Sequence, residues 1–512
     1  MSLSKVVSVG VLTAVLAVLG AALSAQDRPV LRALISDTAA PGIDTGVHDS
    51  DPVRGPYSFE RQAPSNGLPY LRGSIIVKFK AGTPATSQRV MLARAGAAVM
   101  DTGSNDDFQI VRIDPAADPD AIAQQFAEQP DVEYAQPRHV MHPFFVPNDP
   151  LYSRQWNYPL LDMEHAWDLN PGATSSIIVA VLDSGVAYRN VLLRFRADQF
   201  VLEGPPRVAL PALGIVDVPF AAAPDLGGQD RFVTPRDFIW NDTNPLDLDG
   251  HGTHVAGTVG QLTNNGVGVA GMAFNVRIMP VKVIQGTWDE IFNSPERGTD
   301  DVVSRGIRYA VDNGAKVLNM SFGEVDGPSP VIRSALEYAV SRGAFVSISA
   351  GNEFERGNKT AWPAAYAPEI QGVVAVGAVG PDRQRAYYSS TGSYVELAAP
   401  GGNARIGGAA GAVLQQTFNF DFVDTFINGP RDYGPPRFDV FAYAFLQGTS
   451  MAAPHVSGFA ALLMQQGITN PAAIEAAMEH FATDLGTSGR DNEYGYGLIN
   501  PRAALRGLGL MK

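Results

Sequence analysis

The chain has 512 residues and a net charge of −14, from 38 basic and 52 acidic side chains. That length supports a large core and more than one folded unit. The acidic balance argues against a nucleic-acid binder, which carries a basic face, and favours solubility and cation binding. With no cysteine, disulfides and thiolate metal sites are excluded.

The chain starts with one cation, Lys5, followed by an apolar run from Val6 to Leu23 and the small residues Ala22, Ser24 and Ala25. This pattern reads as a secretory signal peptide over residues 1–25. An uncleaved membrane anchor is the rival, because the run is near the lower length limit for a span. The closing small residues and the lack of stop-transfer charges favour the signal peptide. No second long apolar segment exists, so no transmembrane segment is expected in the mature chain. Residues 26–69 are rich in Pro, Gly, Asp and Ser without periodicity and read as a flexible leader.

Residues 70–138 change character. Strands are predicted at 74–80, 108–113 and 132–135, with helices at 86–97 and 119–129. This interleaving fits a small α+β sandwich of the split-βαβ kind. A proline-punctuated stretch, Pro143 to Pro150, then marks a boundary. From 147 to 508, near-continuous apolar runs at 177–182, 276–284, 316–320, 344–349 and 373–376 read as strands buried on both faces. Helices at 300–313 and 330–342 lie between them, with Gly314 and Gly343 just past their ends. The implied fold class is α/β, a parallel sheet flanked by helices, with any active site at the carboxyl ends of the strands.

Four motifs carry chemistry. Asp183 closes the first buried strand in Val181-Leu182-Asp183-Ser184-Gly185. His251 lies between glycines in Gly250-His251-Gly252-Thr253-His254. Asn352 follows another strand in Ala350-Gly351-Asn352-Glu353. Ser450 sits at the mouth of an apolar helix in Gly448-Thr449-Ser450-Met451-Ala452-Ala453-Pro454-His455, where Pro454 is tolerated if it falls in the first turn. Each has an ordinary structural alternative: a turn aspartate, a packed histidine, a turn asparagine, an N-cap serine. Together they supply a nucleophile, a base, a group to orient it and an oxyanion donor, the parts of acyl transfer. Two histidines three apart raise a zinc site, but neither a HExxH spacing nor a third ligand is evident. His254 alone reads as a packed structural histidine.

These motifs resemble those of subtilisin-type serine proteases, over roughly Pro147 to Leu508, and residues 73–137 resemble that family's inhibitory propeptide. The resemblance implies a subtilisin-like fold and a serine endopeptidase. In it Ser450 is the nucleophile, His251 the base and Asp183 its orienting partner. The Asn352 side chain and the Ser450 backbone N–H bind the oxyanion. It also implies that substrate adds as a strand along Ser321-Phe322-Gly323, beside a pocket lined by Ala350 and Gly351, with Glu353 admitting Lys or Arg. A calcium ion is implied at the Asn265 side chain, the carbonyls of Thr263, Val267 and Val269, and the carboxylates of Asp149 and Asp237. The acidic loop 242–249 could hold a second ion or simply be solvated. Two departures are segments longer than in compact relatives, 188–235 and 403–446. Expected partners are protein or peptide substrates and the chain's own propeptide, with a monomeric product. The alternatives are a membrane-anchored processing protease and a catalytically silent peptide-binding protein on the same fold.

Overall fold

The computed structural model describes residues 70–101, 107–139, 145–202, 207–423 and 433–509. These fall into two units, 70–139 and 145–509. The signal peptide and leader expected over residues 1–69 lie outside the described residues.

In the first unit, β1 (Tyr70–Phe79), β2 (Ala98–Asp101), β3 (Gln109–Arg112) and β4 (Val132–His139) form an antiparallel sheet in the order β2-β3-β1-β4. Two helices, α1 (Ala85–Arg94) and α2 (Pro119–Ala127), belong to the same unit. Alternation along β1 sends Ile75, Val77 and Phe79 into a core shared with Leu92, Val111 and Phe126. The α2 start is written locally: Asp118 accepts from the Asp120 N–H and Pro119 takes the first turn. The first helix stops three residues short of its predicted end. Gly96 turns left-handed at φ 64°, and the chain then enters β2, a short strand that periodicity did not expose.

The second unit is built on seven strands: β5 (Ile178–Asp183), β10 (Arg236–Asp237), β11 (Arg277–Lys282), β12 (Val317–Met320), β13 (Phe345–Ser349), β14 (Val373–Val379) and β15 (Leu397–Pro400). All pair in parallel, in the order β10-β11-β5-β12-β13-β14-β15. Helices α3 (His251–Gly260), α4 (Asp300–Asp312), α5 (Pro330–Ser341), α6 (Thr449–Gln465), α7 (Pro471–Phe481) and α8 (Pro501–Gly509) accompany them. Two apolar cores lie on this sheet, one containing α3 and α6 residues and the other α4 and α5 residues. As expected, Gly314 and Gly343 follow α4 and α5 in the left-handed region, at φ 93° and 81°.

Helix α6 is the central element. Every side chain from Met451 to Met464 is buried, and the helix packs on β12, β13, β14 and α3. Its small residues, Ala452, Ala453, Gly458, Ala460 and Ala461, allow that close approach. At Gly458 a Cβ would fall 2.5 Å from the Met272 side chain.

The two long segments are antiparallel hairpins. In the first, β6 (Val191–Ala197) pairs with β9 (Gly214–Phe220), and β7 (Phe200–Leu202) with β8 (Val208–Leu210) nearer its tip. In the second, β16 (Val413–Phe418) pairs with β17 (Phe441–Leu446). The hairpins meet. Phe220 stacks on Phe438 with ring centroids 5.0 Å apart, and the Phe438 backbone exchanges hydrogen bonds with Pro219 and Ala221.

Candidate active site

Asp183 is the last residue of β5 and has no exposed surface. Its Oδ1 accepts from the Ser184 N–H and from His251 Nδ1, both at 2.7 Å. A carboxylate can only accept, so the imidazole proton sits on Nδ1 and Nε2 is left as the basic nitrogen. His251 opens α3 and keeps 17% of its side chain exposed, so it is reachable. The approach of α3 to the end of β5 requires Gly252. A Cβ there would lie 2.1 Å from the Gly185 carbonyl and 3.1 Å from Asp183 Cβ. Burial opposes protonation of the ring, but Asp183, and further off Asp249 and Asp247, outweigh it and raise the imidazole to about 9.

Asp247 holds this corner in place. It is wholly buried. Its Oδ1 accepts from Ser184 Oγ and the N–H groups of Asp249 and Gly250, and its Oδ2 from the Thr253 N–H and hydroxyl. Ser184 Oγ in turn accepts from the Gly252 N–H. This carboxylate thus binds the turn that leads into α3 and the Thr253 N–H of its first turn, where the helix dipole favours negative charge. Asp249 accepts from the His251 N–H. The acidic loop expected to be solvated or cation-binding is spent on its own backbone. The signal was there: an aspartate four residues before the histidine at a helix start.

Ser450 is the second residue of α6 and is not its N-cap, which is Gly448. Its hydroxyl donates to the Ser321 carbonyl at 3.1 Å. Pro454 lies in the second turn of α6, not the first as expected. Lacking an N–H, it cannot serve the carbonyl four residues back, which is that of Ser450. Ser321 Oγ fills the gap, donating to the Ser450 carbonyl at 2.8 Å. Behind Ser321 a buried chain continues: Asn319 Nδ2 donates to Ser321 Oγ, and Ser457 Oγ donates to Asn319 Oδ1, both at 2.9 Å.

Asn352 follows β13. Its Oδ1 accepts from the Thr449 N–H at 2.9 Å and the Thr449 hydroxyl at 3.0 Å. That fixes the amide so that Nδ2 is the free donor. A Cβ built on Gly448 would lie 3.5 Å from Asn352 Nδ2 and 3.6 Å from the Ser450 nitrogen. The glycine therefore leaves open a space bounded by two N–H donors beside a hydroxyl, as oxyanion stabilisation needs.

A model of the subtilase family matches residues 174–497, and a model of the fervidolysin N-terminal prodomain matches residues 59–138. The chain belongs to the subtilase family. This subtilase is a serine-type peptidase with a prodomain. It is 32% identical to the thermophilic serine proteinase of a Bacillus species, over 84% of this chain and 86% of that protein. Thermitase of Thermoactinomyces vulgaris is 30% identical, over 71% of this chain and 100% of the relative. A solved protease structure from Pseudoalteromonas arctica is 29% identical with a TM-score of 0.53, covering 71% of the subtilase and 100% of that chain.

The segments expected to contact substrate lie at strand ends. Ser321, buried, and half-buried Phe322 and Gly323 follow β12. The neighbouring Glu324 exchanges backbone hydrogen bonds with Trp362, both 2.8 Å, which pins the segment. Ala350 is buried and its carbonyl accepts from Tyr394 Oη; Gly351 turns left-handed at φ 100° and donates to Thr449 Oγ1. The Glu353 carboxylate is 3.9 Å from the Arg356 guanidinium.

Several residues of the expected cation site lie together in the subtilase. Asp149 accepts from the N–H groups of Asn264 and Asn265, at 2.7 and 3.4 Å. Thr263, Val267 and Val269 share that loop, and Asn265 Oδ1 accepts from the Val267 N–H. Asp237 is not part of it. That carboxylate binds the N–H groups of Ile239 and Trp240 and is influenced by Lys282 and Asp289, a buried ion pair 2.8 Å apart. The loop's second carboxylate is Asp225, which accepts from Asn265 Nδ2 at 2.8 Å and the Val269 N–H at 3.1 Å. Burial, together with the like charge of Asp149, pushes Asp225 to about 6 despite those bonds. Two converging carboxylates, an amide and loop carbonyls are the oxygen donors calcium takes. His254 is the packed histidine expected, its Nε2 3.2 Å from the carbonyls of Val413 and Ala444.

The second hairpin forms the wall beside His251. Thr417 Oγ1 donates to the Gly250 carbonyl at 2.6 Å, and the adjacent Gln416 accepts from the Asp225 N–H at 3.0 Å. Among the described residues, no helix is long and apolar enough to cross a membrane.

Proposed function

We propose that the chain is a secreted endopeptidase, made as a self-processing preproenzyme, in which Ser450, His251 and Asp183 act as the catalytic triad. The open space between the Asn352 Nδ2 and Ser450 N–H donors, beside the Ser450 hydroxyl, carries this reading. Ser450 Oγ leaves the Ser321 carbonyl, passes its proton to His251 Nε2 and bonds to the scissile carbonyl carbon. The carbonyl electron pair moves onto oxygen, where the two N–H donors hold it. Collapse breaks the C–N bond, and His251 returns the proton to the leaving amine. Water then repeats the sequence to free the acyl group and restore Ser450. Asp183 holds the Nδ1 proton and stabilises the imidazolium throughout.

Substrate adds as a strand along Ser321-Phe322-Gly323, with an apolar or aromatic residue before the cut over Ala350 and Gly351, and Glu353 also admitting Lys or Arg there. Residues 1–25 direct secretion, and the prodomain inhibits the enzyme until cleavage near 136–147. Calcium is held by Asp149, Asp225, Asn265 and the carbonyls of Thr263, Val267 and Val269. It would supply rigidity to the loop that Gln416 and Thr417 link to the His251 corner.

The test is intact mass and N-terminal sequencing of wild type beside Ser450→Ala. Wild type should lose roughly its first 140 residues, to just past the end of the prodomain match at 138, while the variant keeps them. If both are cut alike, Ser450 is not the nucleophile of maturation. Chelation should lower the Tm of wild type, and Asp225→Asn should remove part of that calcium dependence.

A further inference from the structure

Far along the chain from the triad motifs, three glutamates converge. Glu396 immediately precedes β15; Glu475 and Glu479 lie four apart on α7. One carboxylate oxygen from each lies within 4.8 Å of the others. Glu396 is 4% exposed and Glu475 7%, and Glu479 is half-buried. Like charges spaced four apart repel on a helix, and here both face a third carboxylate inside the protein.

Hydrogen bonds do not account for the arrangement. Glu475 Oε2 accepts from the Gly372 N–H. Glu396 Oε2 is buried with no hydrogen-bond partner. Arg490 and Tyr496 also act on the cluster. Arg490 Nη2, however, donates to the backbone carbonyls of Ser393 and Val395, at 2.6 and 3.3 Å, and so is engaged outside the cluster. A buried carboxylate without a partner is costly, and one facing two others more so. Three carboxylates less one guanidinium leave two negative charges, the charge a divalent cation balances. Hard oxygen donors alone, with Glu479 open to water for further ligands, suit calcium.

We propose that Glu396, Glu475 and Glu479 bind a calcium ion that ties α7 to the β15 edge of the sheet, separate from the Asp149–Asp225 loop.

The experiment counts calcium bound at pH 8 by the full chain carrying Ser450→Ala, which prevents self-digestion. Glu475→Gln and Glu479→Gln are compared in that background, with calcium alone as the probe. Each should lose about one ion per chain, together with part of the calcium-induced rise in Tm. Adding Asp225→Asn should remove a further ion independently. Glu479 is half-buried, so its variant reports even if Glu475→Gln folds poorly. If both glutamine variants bind as much calcium as their parent, the site does not exist and the carboxylates merely share protons.

Discussion

The two sides of the catalytic cleft are built on opposite plans. On the His251 side each polar atom of Asp247 is engaged, and fixed negative charge surrounds the imidazole. On the Ser450 side the hydroxyl rests on the Ser321 carbonyl, and the Asn352 amide keeps a donor in reserve. The first side is set before substrate arrives, apart from Asp183 Oδ2, which is buried without a partner; the second is completed by substrate. Changes on the closed side should therefore cost stability and rate together. Changes on the open side should cost mainly rate.

The largest effect expected is from Asp247→Ala. It strands the N–H groups of Asp249, Gly250 and Thr253 in a buried corner. At about 1–3 kcal/mol for each orphaned group, stability in denaturant should fall by several kcal/mol, and kcat with it. A variant as stable as wild type would show that the closed side is not held by this carboxylate. Asn352→Ala tests the other side. Turnover should drop about 10²–10³ with little change in KM, a magnitude measured on subtilisin itself, and Tm should fall less than for Asp247→Ala, because only Thr449 loses its partner. A comparable loss of Tm would erase the distinction.

A finer probe is Asp249→Asn, which keeps an oxygen for the His251 N–H but removes charge. The base works only when neutral, so kcat/KM should rise with pH through its raised pKa, giving an alkaline working range. Losing the Asp249 charge lowers that pKa and should move the limb towards lower pH, by less than about one unit. An unmoved limb would confine the electrostatic control to Asp183. The smallest effect is expected from Thr417→Val, which removes one bond to the Gly250 carbonyl. That carbonyl also accepts from the His254 N–H, so the loss should be about 1 kcal/mol, read as a small fall in Tm.

What the sequence disclosed and what it hid follow from the same physics. His251 and Ser450 sit where backbones or ligands must approach within van der Waals distance, so glycines are compulsory beside them, and Gly252 and Gly448 are visible in a string of letters. Five of the seven parallel strands were legible because burial on both faces leaves few polar residues; two-residue β10 and four-residue β15, closed by Pro400, were too short to stand out. The cation loop was half legible. Asp225 and Asp237 have equal standing in the sequence, and only the contact of Asp225 with Asn265 and Val269 separates them. Pro454 was misplaced by a turn because its tolerance depends on a hydroxyl from β12's distant end, at Ser321. The hairpin at 188–235 was obscured by its prolines, although Val191–Ala197 alternates between half-buried and exposed positions as a strand does.

The meeting of Phe220 and Phe438 has a bearing on engineering. The two hairpins are separated by some 200 positions along the chain, yet each covers the other's aromatic surface and lends it backbone hydrogen bonds. They pack as one module written in two places. A graft that moves one hairpin onto a compact relative transfers half a fold and leaves a wet phenylalanine on donor and recipient alike. Only a paired transplant carries the feature across.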